Sequence, residues 1–164
     1  MFEINPIWRE LKVNAYKSRY LCFSVIIFLL IGCVATGPQF TELAPAPQDS
    51  SYLYFYRPSQ KSTETIYPTV LLNDSDVGAL KAGGYLLIPL KPGNNVISTS
   101  RGLMGPWSLH WDLKKQEYEV YAVAGRRYFL KLELHNMYQL LLSDIIQVTE
   151  DTALQELKGL KLSQ

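Results

Sequence analysis

The sequence predicts a mainly β protein: an antiparallel β-sandwich of about seven to nine short strands with a short C-terminal helix, preceded by an N-terminal signal helix. From Ser51 onward, short apolar runs rich in Tyr, Val, Leu and Ile are separated by turn-forming residues at intervals of roughly ten residues, which is typical of sandwiches and barrels. Within residues 128–134, every second side chain is apolar, as in a strand with one face in a core. A basic leader followed by an apolar run predicts the signal helix.

The leader has the two parts of an export signal. Four basic side chains lie in the first 20 residues, and an apolar stretch over residues 21–31 follows, interrupted only by Cys22 and Ser24. At eleven residues, this stretch is shorter than the roughly 20 residues that a permanent membrane-spanning helix needs. The pattern therefore predicts a secretion signal.

The apolar stretch ends in Leu30-Ile31-Gly32-Cys33, which resembles the lipobox of bacterial lipoprotein signals. In a lipobox the small residue lets the chain enter the signal peptidase, and the cysteine thiol accepts a diacylglyceryl group. We therefore expect cleavage between Gly32 and Cys33, lipidation of Cys33, and attachment to the membrane through its acyl chains. Lipoproteins retained at the inner membrane tend to have Asp after the cysteine, and Val34 here implies the outer membrane, facing the periplasm. An uncleaved signal anchor in the inner membrane is the alternative.

This interpretation divides the chain into a lipoprotein signal (1–33), an extended tether rich in Pro and Gly (34–50) and a β-sandwich-like domain (51–164). Cys22 would leave with the signal and Cys33 would become a thioether, so no disulfide is expected. Beyond residue 33 there are 12 Lys and Arg against 13 Asp and Glu, a formal net charge of −1. Such a balance provides no basic surface for nucleic acid.

The strands follow from local patterns. Residues 52–57 predict a first strand with Leu53 and Phe55 on one face and three tyrosines on the other; Pro58 ends it. Residues 69–72 and 77–80 flank a polar turn at 73–76, which predicts a hairpin. Residues 85–90 and 96–100 predict a second hairpin, in which Pro92 and Gly93 suit a type II turn.

A third hairpin is predicted around Gly125. Matching the apolar faces of residues 117–122 and 128–134 places Glu119 opposite Lys131 and Tyr121 opposite Phe129 on the outer face. A final strand is expected over about 140–148. A helix follows, with Thr149 as its cap, Ala153, Leu154 and Leu157 facing inward, and Gly159 at its end.

Several of these segments, taken together, resemble a known family. They are residues 52–59, the hairpin over 73–78, Gly84-Tyr85 leading to Pro92-Gly93, and Ala124-Gly125 followed by Tyr128-Phe129. In this order they are similar to the uncharacterised bacterial lipoproteins catalogued as domain of unknown function 2846. The resemblance implies a β-sandwich-like fold and an envelope location, but no reaction. That family often has His after the Pro-Gly turn, where this chain has Asn95, so we assign no role there.

Patterns for chemistry are weak. Ser108, His110 and Asp112 alternate on one face of a predicted strand, but neighbours on one face stand about 6.5 to 7 Å apart, which does not build a catalytic triad. We interpret them as a solvated strand face. Two histidines and no free cysteine beyond the signal exclude a structural zinc cluster, and neither a metal nor another cofactor is expected.

Two groups of residues are candidate interaction surfaces. The loop over 101–107 contains Leu103, Met104 and Trp107, which could contact a partner or a membrane if exposed, or could cover the open end of the sandwich. Tyr121 and Phe129, with the tyrosines of the first strand, could form an outer aromatic stripe or lie in the core.

We therefore expect a lipid-anchored, non-catalytic β domain that binds or scaffolds another envelope component, with an envelope protein or a glycan as partner. A periplasmic hydrolase or glycan-processing enzyme using His110 and Asp112 is one alternative. An inner-membrane protein anchored by its uncleaved leader is the other.

Overall fold

A computed structural model describes residues 34–100, 110–111, 116–137 and 140–163. The strands are β1 (Ser51–Arg57), β2 (Thr69–Leu72), β3 (Ser75–Ala79), β4 (Gly84–Leu90), β5 (Gly93–Ser100), β6 (His110–Trp111), β7 (Gln116–Ala122), β8 (Arg127–Met137), β9 (Leu140–Gln147) and β10 (Lys161–Leu162). The helix α1 spans Glu150–Leu157, and a short 3-10 turn spans Lys61–Thr63. The predicted mainly β fold with one short C-terminal helix is confirmed; the predicted signal lies outside the described residues.

The strands form a six-stranded sheet, in the order β10-β4-β1-β8-β9-β6, and a four-stranded sheet, in the order β3-β2-β5-β7. The six-stranded sheet is mixed, because β1 and β8, β10 and β4, and β6 and β9 pair in parallel. The predicted antiparallel pairing holds for β1 with β4, for β8 with β9 and throughout the four-stranded sheet, and these three parallel pairs are additional. Between β1 and β8 the chain alternates between the two sheets, and such long connections, unlike a tight hairpin, allow two strands to pair in parallel.

The hairpin at Asn73 is confirmed. Asn73 and Asp74 both have positive φ, 48° and 65°, as a two-residue type I′ turn requires. The side-chain oxygen of Asn73 also accepts a hydrogen bond of 2.8 Å from the backbone N–H of Val96. The turn is thereby held against β5.

The other two predicted hairpins are wrong. β4 and β5 lie in different sheets, although Gly93 has the positive φ that its turn needs, 105°. β7 pairs with β5, so Glu119 lies opposite Val96 and Tyr121 opposite Asn94 rather than opposite β8. Consecutive strands with matching apolar faces can face one another across a core as well as pair edge to edge, and alternation alone does not distinguish the two arrangements.

The main core lies between the two sheets and contains the side chains that alternation placed inward, including those of β8. Its buried members are Leu53, Phe55, Ile66, Val70, Leu80, Leu86, Ile88, Leu90, Ile97, Val120, Ala122, Leu130, Leu132 and Leu134. Burial of this apolar surface is the main favourable contribution to folding.

A second core covers the outer face of the six-stranded sheet. Its buried members are Phe40, Tyr54, Tyr56, Phe129, Ala153, Leu157 and Leu160. The helix α1 supplies Ala153 and Leu157 and begins as predicted: the Thr149 hydroxyl accepts a hydrogen bond from the Thr152 N–H. Tyr54 and Tyr56 of the first strand therefore lie in the core. The alternation of the strand had left open whether they form an outer stripe or part of the core.

Residues 34–50 are extended but packed against the domain. The N–H of Phe40 donates to the carbonyl of Leu160 at 2.8 Å, and the N–H of Ala44 donates to the hydroxyl of Tyr54 at 2.7 Å. The carbonyl of Pro47 accepts from the N–H of Gly125 at 3.1 Å. The segment predicted as an extended tether forms one side of the second core. Pro and Gly suit an extended chain, whether free or packed, and Phe40 provides the apolar group that packs.

Candidate functional site

A pocket of about 320 Å³ lies where β1 ends and β8 continues. The last paired residues of the two strands are Tyr56 and Lys131; beyond them the chain of β1 turns away at Pro58 while β8 runs on to Met137. Polar and charged side chains line much of the resulting opening. Its lining residues are Arg57, Pro58, Ser59, Gln60, Lys131, Leu132, Glu133, Leu134 and His135.

Arg57 closes the inner end of this pocket. Its side chain is 2% exposed, and its guanidinium donates to the carbonyl of Ile66, to the carbonyl of Thr63 at 2.5 Å and to the hydroxyl of Thr63 at 2.8 Å. Burial lowers the pKa of Arg57 to about 10, an effect that the charge of Glu64 opposes. Arg57 therefore stays charged at neutral pH and ties the loop after β1 to the end of the sandwich.

Lys131, Glu133 and His135, which line the pocket, belong to an ionic network that extends behind it. The ammonium of Lys131 lies 2.8 Å from a carboxylate oxygen of Glu156 on α1 and 3.2 Å from Glu133. The hydroxyl of Tyr56 donates to the other oxygen of Glu156 at 2.5 Å. The Nε2 atom of His135 lies 3.6 Å from Glu133. Side chains from β1, β8 and α1 thus meet in one chain of contacts.

The electrostatics of the network hold each group in one protonation state. Burial lowers the pKa of Lys131, but its hydrogen bonds to Glu156 and Glu133 outweigh burial and raise the pKa overall. Burial raises the pKa of Glu156, but the hydrogen bonds from Lys131 and Tyr56 prevail and lower it. Burial, and then the hydrogen bond to Glu156, raise the pKa of Tyr56. All three shifts move the pKa away from neutrality, whereas an acid or base for catalysis needs a pKa near the working pH.

Two of the residues predicted to form an interaction surface are described, and they differ in exposure. Tyr121 is 71% exposed on β7, at the outer face of the four-stranded sheet. Phe129 is 4% exposed and stacks on Tyr54 with ring centroids 5.5 Å apart, so its proposed role on a surface is wrong. Its face is covered by the second core, which the strand pattern alone did not show.

Other candidates lie outside the described residues: Gly32, Cys33, Leu103, Met104 and Trp107, as well as Ser108 and Asp112. Only the backbone of His110 is described, and it pairs with Leu140 as part of β6.

The sequence patterns did not indicate which residues line the pocket. Arg57 was predicted only to end the first strand. It lies on the same inward face as Leu53 and Phe55, because the three residues are spaced by two. A charge on a core face is a recognisable signal for a buried, hydrogen-bonded group. Glu156 had no such signal, because its partner Lys131 is 25 residues away in the chain.

Within the described ranges, no group of three or more His, Cys, Asp or Glu side chains is arranged to hold a metal ion. The same residues contain no helix that is long and apolar enough to cross a membrane.

Comparison with known proteins identifies one family. No curated protein and no solved structure matches the chain. A family model described as "Protein of unknown function (DUF2846)" matches residues 47–140. The match spans more than half of the chain and includes β1, Arg57 and the whole of β8, while α1 and Glu156 lie beyond it. By this match, the chain belongs to the DUF2846 family.

Proposed function

We propose that this chain is a lipid-anchored lipoprotein of the bacterial cell envelope, in the outer membrane facing the periplasm. Its β domain would bind or scaffold another envelope component without catalysing a reaction. The sequence Leu30-Ile31-Gly32-Cys33 at the end of the leader supports the anchor. The described domain begins directly after it, so cleavage before Cys33 would remove no strand of either sheet.

The ionic network at the pocket carries the proposal of a binding role. Lys131, Glu156 and Tyr56 are each held in their ordinary protonation state by hydrogen bonds to one another. Of these three residues only Lys131 lines the pocket, where it stands with Glu133 and His135; Tyr56 and Glu156 lie behind it and hold it in place. A fixed ammonium beside Glu133 and His135, in a pocket of about 320 Å³, suits recognition of a polar group on a protein or a glycan.

Acylation is tested by intact mass and by palmitate labelling of the full chain in its bacterial host. We expect the wild type to incorporate palmitate and Cys33→Ala to lose it. Cys22→Ala is the matched control, because it removes the other thiol of the chain and should leave labelling intact. Labelling that survives Cys33→Ala, or that is absent from the wild type with the leader retained, would contradict the anchor.

The binding role is tested by a photo-crosslinking amino acid placed at His135 on the pocket rim or at Tyr121 on the opposite sheet, in intact cells. We expect crosslinking to a defined envelope protein or glycan from His135. The replacement at Tyr121 reports whether the outer face of the four-stranded sheet contributes. A chain that crosslinks from neither position would not support a scaffold.

A further inference from the structure

The chain directly after Cys33 is packed into the domain. Val34 forms a parallel bridge with Ala82, and the N–H of Gly37 donates to the carbonyl of Leu162 at 3.0 Å. Ala35 is buried beside Gly84. A Cβ atom at Gly37 would lie 2.5 Å from the carbonyl oxygen of Leu162, so the contact is close. Val34 follows Cys33 directly in the sequence, so the packed segment begins one residue after the proposed lipidation site.

This attachment point lies at one end of the six-stranded sheet. Gly84, two residues after Ala82, pairs with both Lys161 and Arg57. Gly83 is next to Ser59, because a Cβ atom at Gly83 would lie 3.6 Å from the Cβ of Ser59. Arg57 and Ser59 line the pocket. The start of the packed chain and the pocket are therefore at the same end of the domain.

We infer that this end, formed by residues 81–84, Lys161 and the pocket rim, faces the bilayer of the membrane in which Cys33 is acylated. The inference rests on the proposed lipid anchor. Acyl chains attached to Cys33 must enter the hydrocarbon region, and the packed residues 34–37 allow the domain little freedom to turn away from it. Lys81 and Lys161 flank the attachment point and suit the phosphates of lipid headgroups.

Covalent attachment sets this orientation more than charge does. Glu64 accepts a hydrogen bond from Ser59 at 3.2 Å, so the same end is not uniformly cationic. The partner is thus the lipid surface itself, held close by the anchor. The opposite end of the sheet, which includes Lys91 after β4, would stand about 20 Å farther from the bilayer, the length of a seven-residue strand.

The orientation also determines how a ligand reaches the pocket. Gly84, Arg57 and the segment of β8 after Lys131 lie side by side across the sheet, so the pocket is about two strand spacings, roughly 10 Å, from the attachment point. A partner of the pocket would then be a group that lies at the membrane surface.

The test uses the acylated protein purified from its host and placed in vesicles of phosphatidylethanolamine and phosphatidylglycerol. Lys81→Cys and Lys91→Cys each introduce one thiol for a fluorophore, since acylation blocks Cys33 and no other cysteine follows it. Spin-labelled lipids should quench the label at residue 81 at least threefold more than the label at residue 91. Lys161→Cys provides a second position at the same end and should behave like Lys81→Cys.

A flexible run of about 15 Gly and Ser residues inserted after Val34 is the matched control, and we expect it to abolish the difference in quenching. Equal quenching at residues 81 and 91 in protein that intact mass shows to be acylated would overturn the inference while leaving the anchor intact. A difference that persists with the inserted run would also overturn it, because direct attachment would not be the cause. Absence of acylation would overturn both the anchor and the inference.

Discussion

The two sheets share one core but differ on their outer faces. In the six-stranded sheet, Tyr54, Tyr56 and Phe129 lie on the outer face and are buried beneath α1 and the segment 34–43. In the four-stranded sheet, the corresponding face of β7 exposes Glu119 and Tyr121. Aromatic residues stand on both outer faces, yet only one face is core. The surroundings of a strand, not the residue type, decide whether such a side chain is part of the core.

The sequence contains part of this difference. The first strand is apolar on both faces, with Leu53 and Phe55 inward and tyrosines outward, as expected of a strand buried on both sides. In β7, by contrast, charged residues alternate with apolar ones. A continuous apolar run predicts a covered central strand, and a strict alternation predicts one solvated face.

The largest expected difference between the two outer faces is in how much their aromatic residues contribute to the free energy of unfolding. Phe129→Ala should cost about 3 to 5 kcal/mol of unfolding free energy, because it removes a buried ring that stacks on Tyr54. Tyr121→Ala, the matched exposed position, should change stability by less than about 0.5 kcal/mol. Urea unfolding of the chain from residue 33, with Cys33→Ala, measures both. Similar losses for the two variants would show that the faces do not differ as described.

Arg57 tests the end of the six-stranded sheet where the pocket lies. Arg57→Met should destabilise the domain by about 2 to 4 kcal/mol, because the carbonyls of Thr63 and Ile66 lose a buried charged donor. Urea unfolding gives the loss, and protease cleavage in the loop 58–68 should become faster. The exposed Arg126→Met is the control for loss of a charge. An Arg57→Met variant as stable as this control would contradict the buried anchoring role.

Strand positions and faces were largely predictable from the sequence, whereas pairing partners were not. The apolar faces predicted for residues 117–122 and 128–134 do lie in the main core, because alternation depends only on neighbouring residues. Whether β7 pairs with β8 or faces it across the core depends on the distant strands β1 and β5. No local pattern contains that information.

The site was harder to predict for the same reason. The contact of Lys131 with Glu156 joins a strand to the C-terminal helix, and the contact of Tyr56 with Glu156 spans 100 residues. Local chemistry predicted the Thr149 cap and the turn at Asn73, where the partners lie within a few residues. The pocket exists because β8 continues beyond the last residue of β1. The sequence of either strand alone does not show this difference in length.

The network over the six-stranded sheet should make stability depend on pH. The pKa of Glu156 is lowered in the folded chain, so its contribution is present above the unfolded value of about 4.3 and is lost as pH falls through the folded value. Glu156→Gln should therefore cost about 1 kcal/mol at pH 7. The loss should shrink towards zero below about pH 4. Urea unfolding of both chains from pH 3 to 7 measures this dependence, and the exposed Glu150→Gln is the control. A loss that stays constant over this range would contradict the ionic role.

The smallest expected effect concerns the helix that covers this sheet. Thr149→Ala removes the hydroxyl that caps α1 and should lower stability by about 0.5 to 1 kcal/mol, the lower part of the usual range because the bond is long at 3.4 Å. Thr149→Ser keeps a capping hydroxyl and should retain most of that stability. Thermal unfolding at pH 7 compares the three chains.

Hydrogen exchange in Thr149→Ala shows which sheet the helix stabilises. Among the described elements α1 packs only on the six-stranded sheet, so exchange should accelerate more at Tyr54 and Phe129 than at Glu119 or Val120. Uniform quickening in both sheets would mean that α1 stabilises the whole sandwich, not one outer face.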